Sequence, residues 1–399
     1  MSAITALPRL AGRPAVQALK GIAGVPARVL GFAVRELADR NGLISPSGLP
    51  SFALSRGILA QVALDEAILG VMKTPSRFPD ESESLRVADE LAVLVDLYTR
   101  RGWTDDPVGY HRQPPLPDDV SRRMGWALGQ RLERLSWRSG FEPDNDHPAA
   151  ERWTLRRRNH IARAALLVHP GGPRPWIVAI HGLGTGHATA DLVGLRIKHL
   201  HNELGYNIAM PVLPLHGRRA EQPLEATEFL SHDLSLTTLA VTHAMWDIRA
   251  LVRLIREQRN PTSISLYGVS LGGFSASLLA ALEDDLDRVV VGVPLVDIPR
   301  LFDLHAKAEL RQLAQRTGLL GDAAAVAHGV ISPLAAPVRV PTARLGIYAG
   351  LGDRMTPARE AMRLWEHWGR PDLCLYPGNH VGFLWSKDVA AFIDEQFAR

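Results

Sequence analysis

The sequence predicts an α/β fold built on a mostly parallel sheet. From about residue 141 onward, short apolar runs rich in valine and isoleucine alternate with segments of helical periodicity. Several of these runs are continuously apolar, which is typical of strands that helices cover on both faces. The seven strand candidates are 162–168, 176–180, 207–212, 263–267, 288–293, 343–348 and 373–376. The helical segments between them are 191–204, 236–258, 274–282, 301–316 and 357–368.

Residues 1–140 have a different pattern, which predicts a helical N-terminal region that forms an arm or a cap. Apolar residues recur at helical spacing over 55–73 and 83–101, and a third helix is expected near 120–132. The proline-rich stretch 106–119 reads as a connector or as a loop over a cleft.

Composition argues against several classes of protein. The 399 residues carry a formal net charge of only +3, which gives no electrostatic case for binding nucleic acid. Cys374 is the single cysteine, so the chain forms no internal disulfide and needs no oxidising compartment. The sequence contains no run of about 18 apolar residues, so we expect no membrane-spanning helix. We therefore expect a cytoplasmic protein that acts on a small-molecule or lipid substrate.

Residues 1–35 are basic and contain no acidic residue. Prolines break their apolar stretches, so they do not resemble a secretory signal. Two interpretations remain open: a segment that contacts anionic lipid at a membrane surface, or a helical arm that packs on the rest of the chain.

The stretch "GVSLGG" predicts a nucleophile at Ser270. It follows the strand candidate 263–267 and precedes the helical segment 274–282, which is the strand–turn–helix setting of such a serine. The turn is tight, and only small residues such as Gly268 and Gly272 let the strand and helix approach each other. The turn places the hydroxyl at the carboxyl end of the sheet, where ligands bind in open α/β folds.

A serine hydroxyl needs a base that accepts its proton, and the base needs an acid that orients it. Asp353 and His380 each follow a strand candidate, so they reach the same edge of the sheet as Ser270. The chain order Ser270, Asp353, His380 is a known order for such triads. Asp297 also follows a strand and is the alternative acid.

The loop "HGLGTG" at 181–186 predicts an oxyanion hole, because a glycine-rich turn after a strand aims backbone N–H groups into the cleft. We expect the N–H groups of Leu183 and Leu271 to be the two donors. Residues expected to support these turns are His181, Gly182, Gly184, Gly268 and Gly272. The histidine at the start of the loop argues against a dinucleotide site, and no metal-binding motif is present. We expect no cofactor.

These motifs together resemble the α/β-hydrolase superfamily over residues 141–399. The matching stretches are "HGLG" at 181–184, "LPLHGRR" at 213–219, "GVSLGG" at 268–273, "GDRMTP" at 352–357 and "GNHVGF" at 378–383. The resemblance implies an eight-stranded, mostly parallel sheet flanked by helices, and a serine nucleophile. We expect a small helical lid at about 298–335, where apolar residues exceed the needs of one exposed helix.

The predicted function is hydrolysis of carboxylic esters, including lipid or other hydrophobic acyl esters, through an acyl-serine. An acyltransferase would use the same three side chains with an alcohol or amine in place of water. A non-catalytic binding or scaffold protein of the same fold is the remaining alternative. The resemblance does not fix the substrate, because this fold hosts many chemistries.

Overall fold

In the computed structural model, the structure describes residues 24–40, 49–50, 52–72, 79–222 and 225–399. A nine-stranded sheet lies at the centre, in the order β1-β2-β3-β5-β4-β6-β7-β8-β9. The first three strands and β5 pair antiparallel, and all later pairs are parallel. The strands are β1 (Ser121–Ala127), β2 (Gln130–Arg138), β3 (Ile161–Leu167), β4 (Trp176–Ile180), β5 (Asn207–Val212), β6 (Ile264–Val269), β7 (Val289–Gly292), β8 (Leu345–Gly350) and β9 (Asp372–Tyr376). This architecture confirms the predicted α/β-hydrolase fold, and all seven strand candidates are strands.

Helices cover both faces of the sheet. In chain order they are α1 (Val25–Arg40), α2 (Arg56–Met72), α3 (Glu81–Arg100), α4 (Pro107–Tyr110), α5 (Ala150–Thr154), α6 (Ala188–Gly194), α7 (Ile197–Asn202), α8 (Leu234–Arg259), α9 (Leu271–Leu282), α10 (Ile298–His305), α11 (Ala308–Thr317), α12 (Asp322–Gly329), α13 (Ala358–His367) and α14 (Lys387–Ala398). The core on one face includes α8, α9 and α13, and the core on the other face includes α6, α7 and α14. Helix α3 packs outside α8 and also contacts α11 and α12.

The sheet has nine strands, whereas the resemblance implied eight. The prediction of a helix near 120–132 is also wrong. Those residues belong to β1 and β2, which pair antiparallel around a two-residue turn at Leu128 and Gly129. Both turn residues have positive φ, 47° and 78°, which suits the twist of a hairpin. Leu132 and Leu135 are buried on β2 and belong to different cores, as residues an odd number apart on a strand point to opposite faces.

The division of the chain at residue 140 stays a prediction, but β1 and β2 lie before it and belong to the same sheet as the rest. The helical lid at 298–335 also stays a prediction. Helices α10, α11 and α12 occupy that stretch between β7 and β8.

Helix α1 packs against α2 through Phe32, which contacts Ile58 and Val62. Its opposite side exposes Leu30, Val34 and Leu37 to solvent. Among the described residues, no helix has both the length and the apolar character needed to cross a membrane. Contact of residues 1–35 with a lipid surface stays a prediction, and residues 1–23 lie outside the described residues.

Candidate active site

Ser270 lies on the turn between β6 and α9, with φ 58° and ψ −115°. Non-glycine residues rarely adopt a positive φ, and such strained positions cluster at functional sites. Close packing explains the flanking glycines: a methyl group on Gly268 would overlap the carbonyl of Gly272, and one on Gly272 would overlap the carbonyl of Ile180. The Ser270 N–H donates to the Gly292 carbonyl at 2.9 Å, which fastens the turn to the end of β7. The hydroxyl therefore lies at the N-terminus of a buried helix, where its positive end favours developing negative charge.

Asp353 and His380 meet at the ends of β8 and β9. Asp353 Oδ2 lies 2.7 Å from His380 Nδ1, and both side chains are buried. The other oxygen, Asp353 Oδ1, accepts the backbone N–H groups of Met355 at 2.7 Å and Thr356 at 2.9 Å. These contacts fix the carboxylate on Nδ1 and leave Nε2 as the ring nitrogen that can accept a proton.

Thr356 connects the pair to the turn that holds Ser270. Its Oγ1 lies 3.1 Å from His380 Nδ1 and donates to the Val293 carbonyl at 2.9 Å. Val293 follows Gly292, the acceptor of the Ser270 N–H. Ser270 follows β6, and Asp353 and His380 follow β8 and β9, with β7 between β6 and β8. Thr356 and Ser270 bond to the consecutive carbonyls of Val293 and Gly292 at the end of β7.

The alternative acid, Asp297, does not contact His380. Its Oδ1 accepts the Arg300 N–H at 3.0 Å and so caps α10, and its Oδ2 pairs with Arg363 at 3.1 Å. The structure therefore brings Asp353, and not Asp297, to the histidine.

The loop after β4 runs directly beside Ser270. A methyl group on Gly182 would lie 3.4 Å from the Val269 carbonyl oxygen and 3.5 Å from Ser270 Cβ. Gly184 has a φ of 80°, which a glycine adopts without strain. Within the described residues, the N–H groups of Leu183 and Leu271 donate to no protein acceptor. Their role as oxyanion donors stays a prediction.

His181 bridges this loop to the strand beside it. Its Nδ1 donates to the Gly182 carbonyl at 2.8 Å, and its Nε2 accepts the Leu213 N–H at 3.1 Å. Burial lowers the pKa of His181, so the ring is neutral at pH 7 and suited to this pair of contacts. Both ring nitrogens of His181 bond to the backbone, so the side chain holds the shape of the loop and has no nitrogen left for proton transfer.

Sequence reasoning missed Asp65, a buried carboxylate on α2 that supports His380. Asp65 Oδ2 accepts the backbone N–H groups of His380 at 3.0 Å and Arg354 at 2.9 Å. Its Oδ1 accepts Asn379 Nδ2 at 2.8 Å. The signal in the sequence is an acid inside the apolar stripe of a helix, between Val62 and Leu69.

Two buried carboxylates now control the charge of the histidine. Burial by itself lowers the pKa of His380, but the charges of Asp353 and Asp65 and the hydrogen bond to Asp353 outweigh it. The pKa therefore lies above the ordinary 6.5. Burial and the charge of Asp353 raise the pKa of Asp65 to about 6, against the opposing effects of His380 and the backbone donors.

Asp65→Asn is expected to shift the pH dependence of any reaction that uses His380 as a base. Loss of the Asp65 charge lowers the pKa of His380, so the acidic limb of kcat/KM moves to lower pH. We also expect kcat to fall roughly 10-fold, because the loop of His380 loses part of its anchor. Measuring kcat/KM against pH for an ester substrate tests this. Asp89→Asn, on the exposed side of α3, is the matched control, and an unchanged profile in Asp65→Asn would contradict the role.

A second serine, histidine and aspartate group lies elsewhere in the core. Ser139 Oγ lies 2.9 Å from His243 Nε2, and Asp247 pairs with the fully buried Arg219 at 2.7 Å. Trp153 donates to the other ring nitrogen of His243 at 3.1 Å. All five side chains are buried, and Arg219 also donates to the carbonyls of Val212 and Asn159 at 2.9 Å. This network links the end of β2 to α8 within the core.

Comparison with known proteins gives relatives but no matching family model. Among solved structures, the chain is similar to acetyl xylan esterase 1 from Thermoanaerobacterium sp. JW/SL YS485, with a TM-score of 0.49 and 14% identity, over 75% of this chain and 92% of that one. It is also similar to an acetyl xylan esterase from Paenibacillus sp. R4, with a TM-score of 0.48 and 17% identity, over 70% of this chain and 88% of that one.

Two relatives in Mycobacterium tuberculosis are much more similar in sequence. They are the uncharacterized proteins MT2702 of strain CDC 1551 / Oshkosh and Rv2627c of strain ATCC 25618 / H37Rv. Each is 37% identical over 349 residues, which cover 87% of this chain and 84% of the relative. At this identity and coverage, the chain belongs to the protein family that contains these two mycobacterial proteins.

Proposed function

We propose that this protein is a serine hydrolase that cleaves carboxylic esters through an acyl-serine intermediate. One observation carries the proposal: the buried Asp353–His380 pair, 2.7 Å apart, lies at the same sheet edge as the strained turn of Ser270. A histidine held by a carboxylate is the base that a serine hydroxyl requires.

In the first half of the reaction, His380 Nε2 takes the proton of Ser270 Oγ as that oxygen attacks the ester carbonyl carbon. The carbonyl oxygen becomes an oxyanion, which the N–H groups of Leu183 and Leu271 stabilise. The tetrahedral intermediate then collapses, and the alcohol leaves with the proton held by His380. Asp353 stabilises the protonated ring throughout.

In the second half, water replaces the alcohol. His380 Nε2 takes a proton from the water as its oxygen attacks the acyl-serine carbonyl. The same two N–H groups bind the second oxyanion. Collapse returns the proton to Ser270 Oγ and releases the acid, so the enzyme is regenerated without a cofactor.

A fluorophosphonate probe tests the nucleophile directly. We expect covalent phosphonylation of Ser270, because the probe reacts with serines that a neighbouring histidine activates. Mass spectrometry of the digested protein locates the adduct, and turnover of p-nitrophenyl acetate reports hydrolysis. Ser139 is the internal control, since its hydroxyl is buried beside His243 and should stay unlabelled. An adduct on another serine, or none on Ser270, would contradict the proposal.

A further inference from the structure

Three arginines share one face of the antiparallel part of the sheet. Arg123 on β1 lies directly opposite Arg134 on β2, and Ser136 on β2 lies opposite Arg163 on β3. Residues opposite each other in an antiparallel pair point to the same side, as do residues two apart on one strand. Arg123, Arg134 and Arg163 therefore project into the same groove.

No acidic residue within the described part of the chain lines this groove. The groove encloses about 500 Å³, and the described residues that line it include Arg218 as a fourth arginine and no Asp or Glu. Within the described part of the chain, Arg123, Arg163 and Arg218 form no ion pair. The opposite face of β2 differs, because Glu133 there pairs with Arg122 at 3.0 Å and with Arg259 at 2.6 Å.

Repulsion among the arginines of this groove lowers the stability of the folded protein. Like charges directly opposite each other on neighbouring strands repel. Burial and the positive charges of Arg218 and Arg219 lower the pKa of Arg163. Its Nε is buried without a hydrogen-bond partner. A bound anion beside these arginines would remove the repulsion.

Neighbouring contacts hold the cations in place. The side chain of Arg134 lies across Gly125, where a methyl group would come within 2.7 Å of its Nε. Arg219 is fully buried and pairs with Asp247 at 2.7 Å, which anchors the turn that exposes Arg218. Groups fixed before binding lose less entropy when a ligand arrives.

The groove adjoins the candidate active site through one loop. Gly182 packs on Ser270, and five residues later His187 lines the groove together with Gly186. That separation spans at most about 18 Å of extended chain. A single small molecule can reach both places.

We propose that this groove binds an anionic group of the ester substrate, a carboxylate or a phosphate, while its ester lies at Ser270. The inference rests on the proposed function and narrows its substrate class to anionic esters. Arginine suits this task because its planar guanidinium donates two parallel hydrogen bonds to carboxylate or phosphate oxygens. The volume is that of a small-molecule site, and the net charge of +3 does not favour a polyanion.

Matched esters provide the kinetic test. The mono-p-nitrophenyl ester of adipic acid carries a carboxylate on its acyl side, and p-nitrophenyl hexanoate is its neutral counterpart. The p-nitrophenyl ester of 6-phosphonooxyhexanoic acid provides the phosphate arm, and 3-carboxy-4-nitrophenyl hexanoate places the charge on the alcohol side. We expect the wild type to prefer at least one anionic ester. In Arg163→Gln, and in the double variant Arg123→Gln with Arg134→Gln, kcat/KM for that ester falls by about 10-fold or more through KM.

The same variants must leave neutral hexanoate hydrolysis within about threefold of the wild type. Arg131→Gln is the matched control for Arg163→Gln, because Arg131 is exposed on the opposite face of β2 and its loss removes the same single charge. Arg163 is half-buried, and its substitution can destabilise the fold. Arg123 and Arg134 are exposed, so the double variant is expected to fold and keeps the test valid if Arg163→Gln unfolds.

Binding to Ser270→Ala separates this inference from the proposed function. Calorimetric titration with adipate and with inorganic phosphate is expected to show saturable binding that Arg123→Gln/Arg134→Gln removes. Arginine-dependent binding with no ester hydrolysis by the wild type would support the groove and refute the hydrolase. Hydrolysis without charge preference, together with no anion binding, would refute the groove and keep the hydrolase. Arginine-dependent sedimentation with phosphatidylglycerol vesicles but no binding of either small anion would also overturn the inference, because the face would then contact a membrane.

Discussion

Ser270→Ala is expected to lower kcat for p-nitrophenyl ester hydrolysis by at least about 10⁴-fold. The variant removes the oxygen that attacks the carbonyl and keeps the Cβ that the strained turn already accommodates. The remaining activity would come from bound water and from the N–H groups that bind the oxyanion. Nitrophenolate release measures the loss, and thermal unfolding by circular dichroism checks that the fold is intact.

Ser275→Ala is the matched control for this experiment. Ser275 is buried on the same helix, and its hydroxyl donates only to the Leu271 carbonyl at 2.9 Å. Its removal costs one local hydrogen bond, about 1 kcal/mol, and should leave kcat nearly unchanged. Full activity in Ser270→Ala, or equal losses in both variants, would refute Ser270 as the nucleophile.

Asp353→Asn is expected to lower kcat by about 10²- to 10⁴-fold without loss of the fold. The hydrogen bonds of the wild-type carboxylate determine how the amide group of the variant is oriented. Because Asp353 Oδ1 accepts the backbone N–H groups of Met355 and Thr356, the amide oxygen of the variant takes that position. The NH₂ group then faces His380 and donates to Nδ1. The proton of the ring moves to Nε2, which can no longer accept the proton of Ser270.

Asp297→Asn gives the comparison that decides between the two acids. An asparagine oxygen still caps α10, so the variant loses only the charge that pairs with Arg363. We therefore expect a small fall in melting temperature and a kcat close to that of the wild type. Steady-state kinetics of both variants, with melting curves beside them, test the assignment. A large loss of kcat confined to Asp297→Asn would make Asp297 the acid of the triad.

The sequence predicted those parts of the fold and site that depend on local pattern. The seven strand candidates from residue 162 onward became strands, and several are the continuous apolar runs that strands need when helices cover both of their faces. Ser270, Asp353 and His380 could be grouped because parallel strands end at one edge of the sheet, so chain position alone brings their side chains together.

Other parts of the structure lay beyond local pattern. The edge strand β1 buries only Ala127, so it carries almost no apolar signal. Asp65 contacts a loop 315 residues away, and nothing near it in the chain indicates that partner. The arginine groove depends on the register of β1 and β2, which is known only once the hairpin is recognised.

The contact between Asp65 and His380 also makes the candidate site sensitive to the docking of one helix. Because the backbone N–H groups of His380 and Arg354 both donate to Asp65, separation of α2 from these loops leaves two backbone donors without their acceptor. Local opening of one helix can precede the unfolding of a whole protein. Conditions that detach α2 are therefore expected to disturb the loop of the histidine while the sheet is still folded.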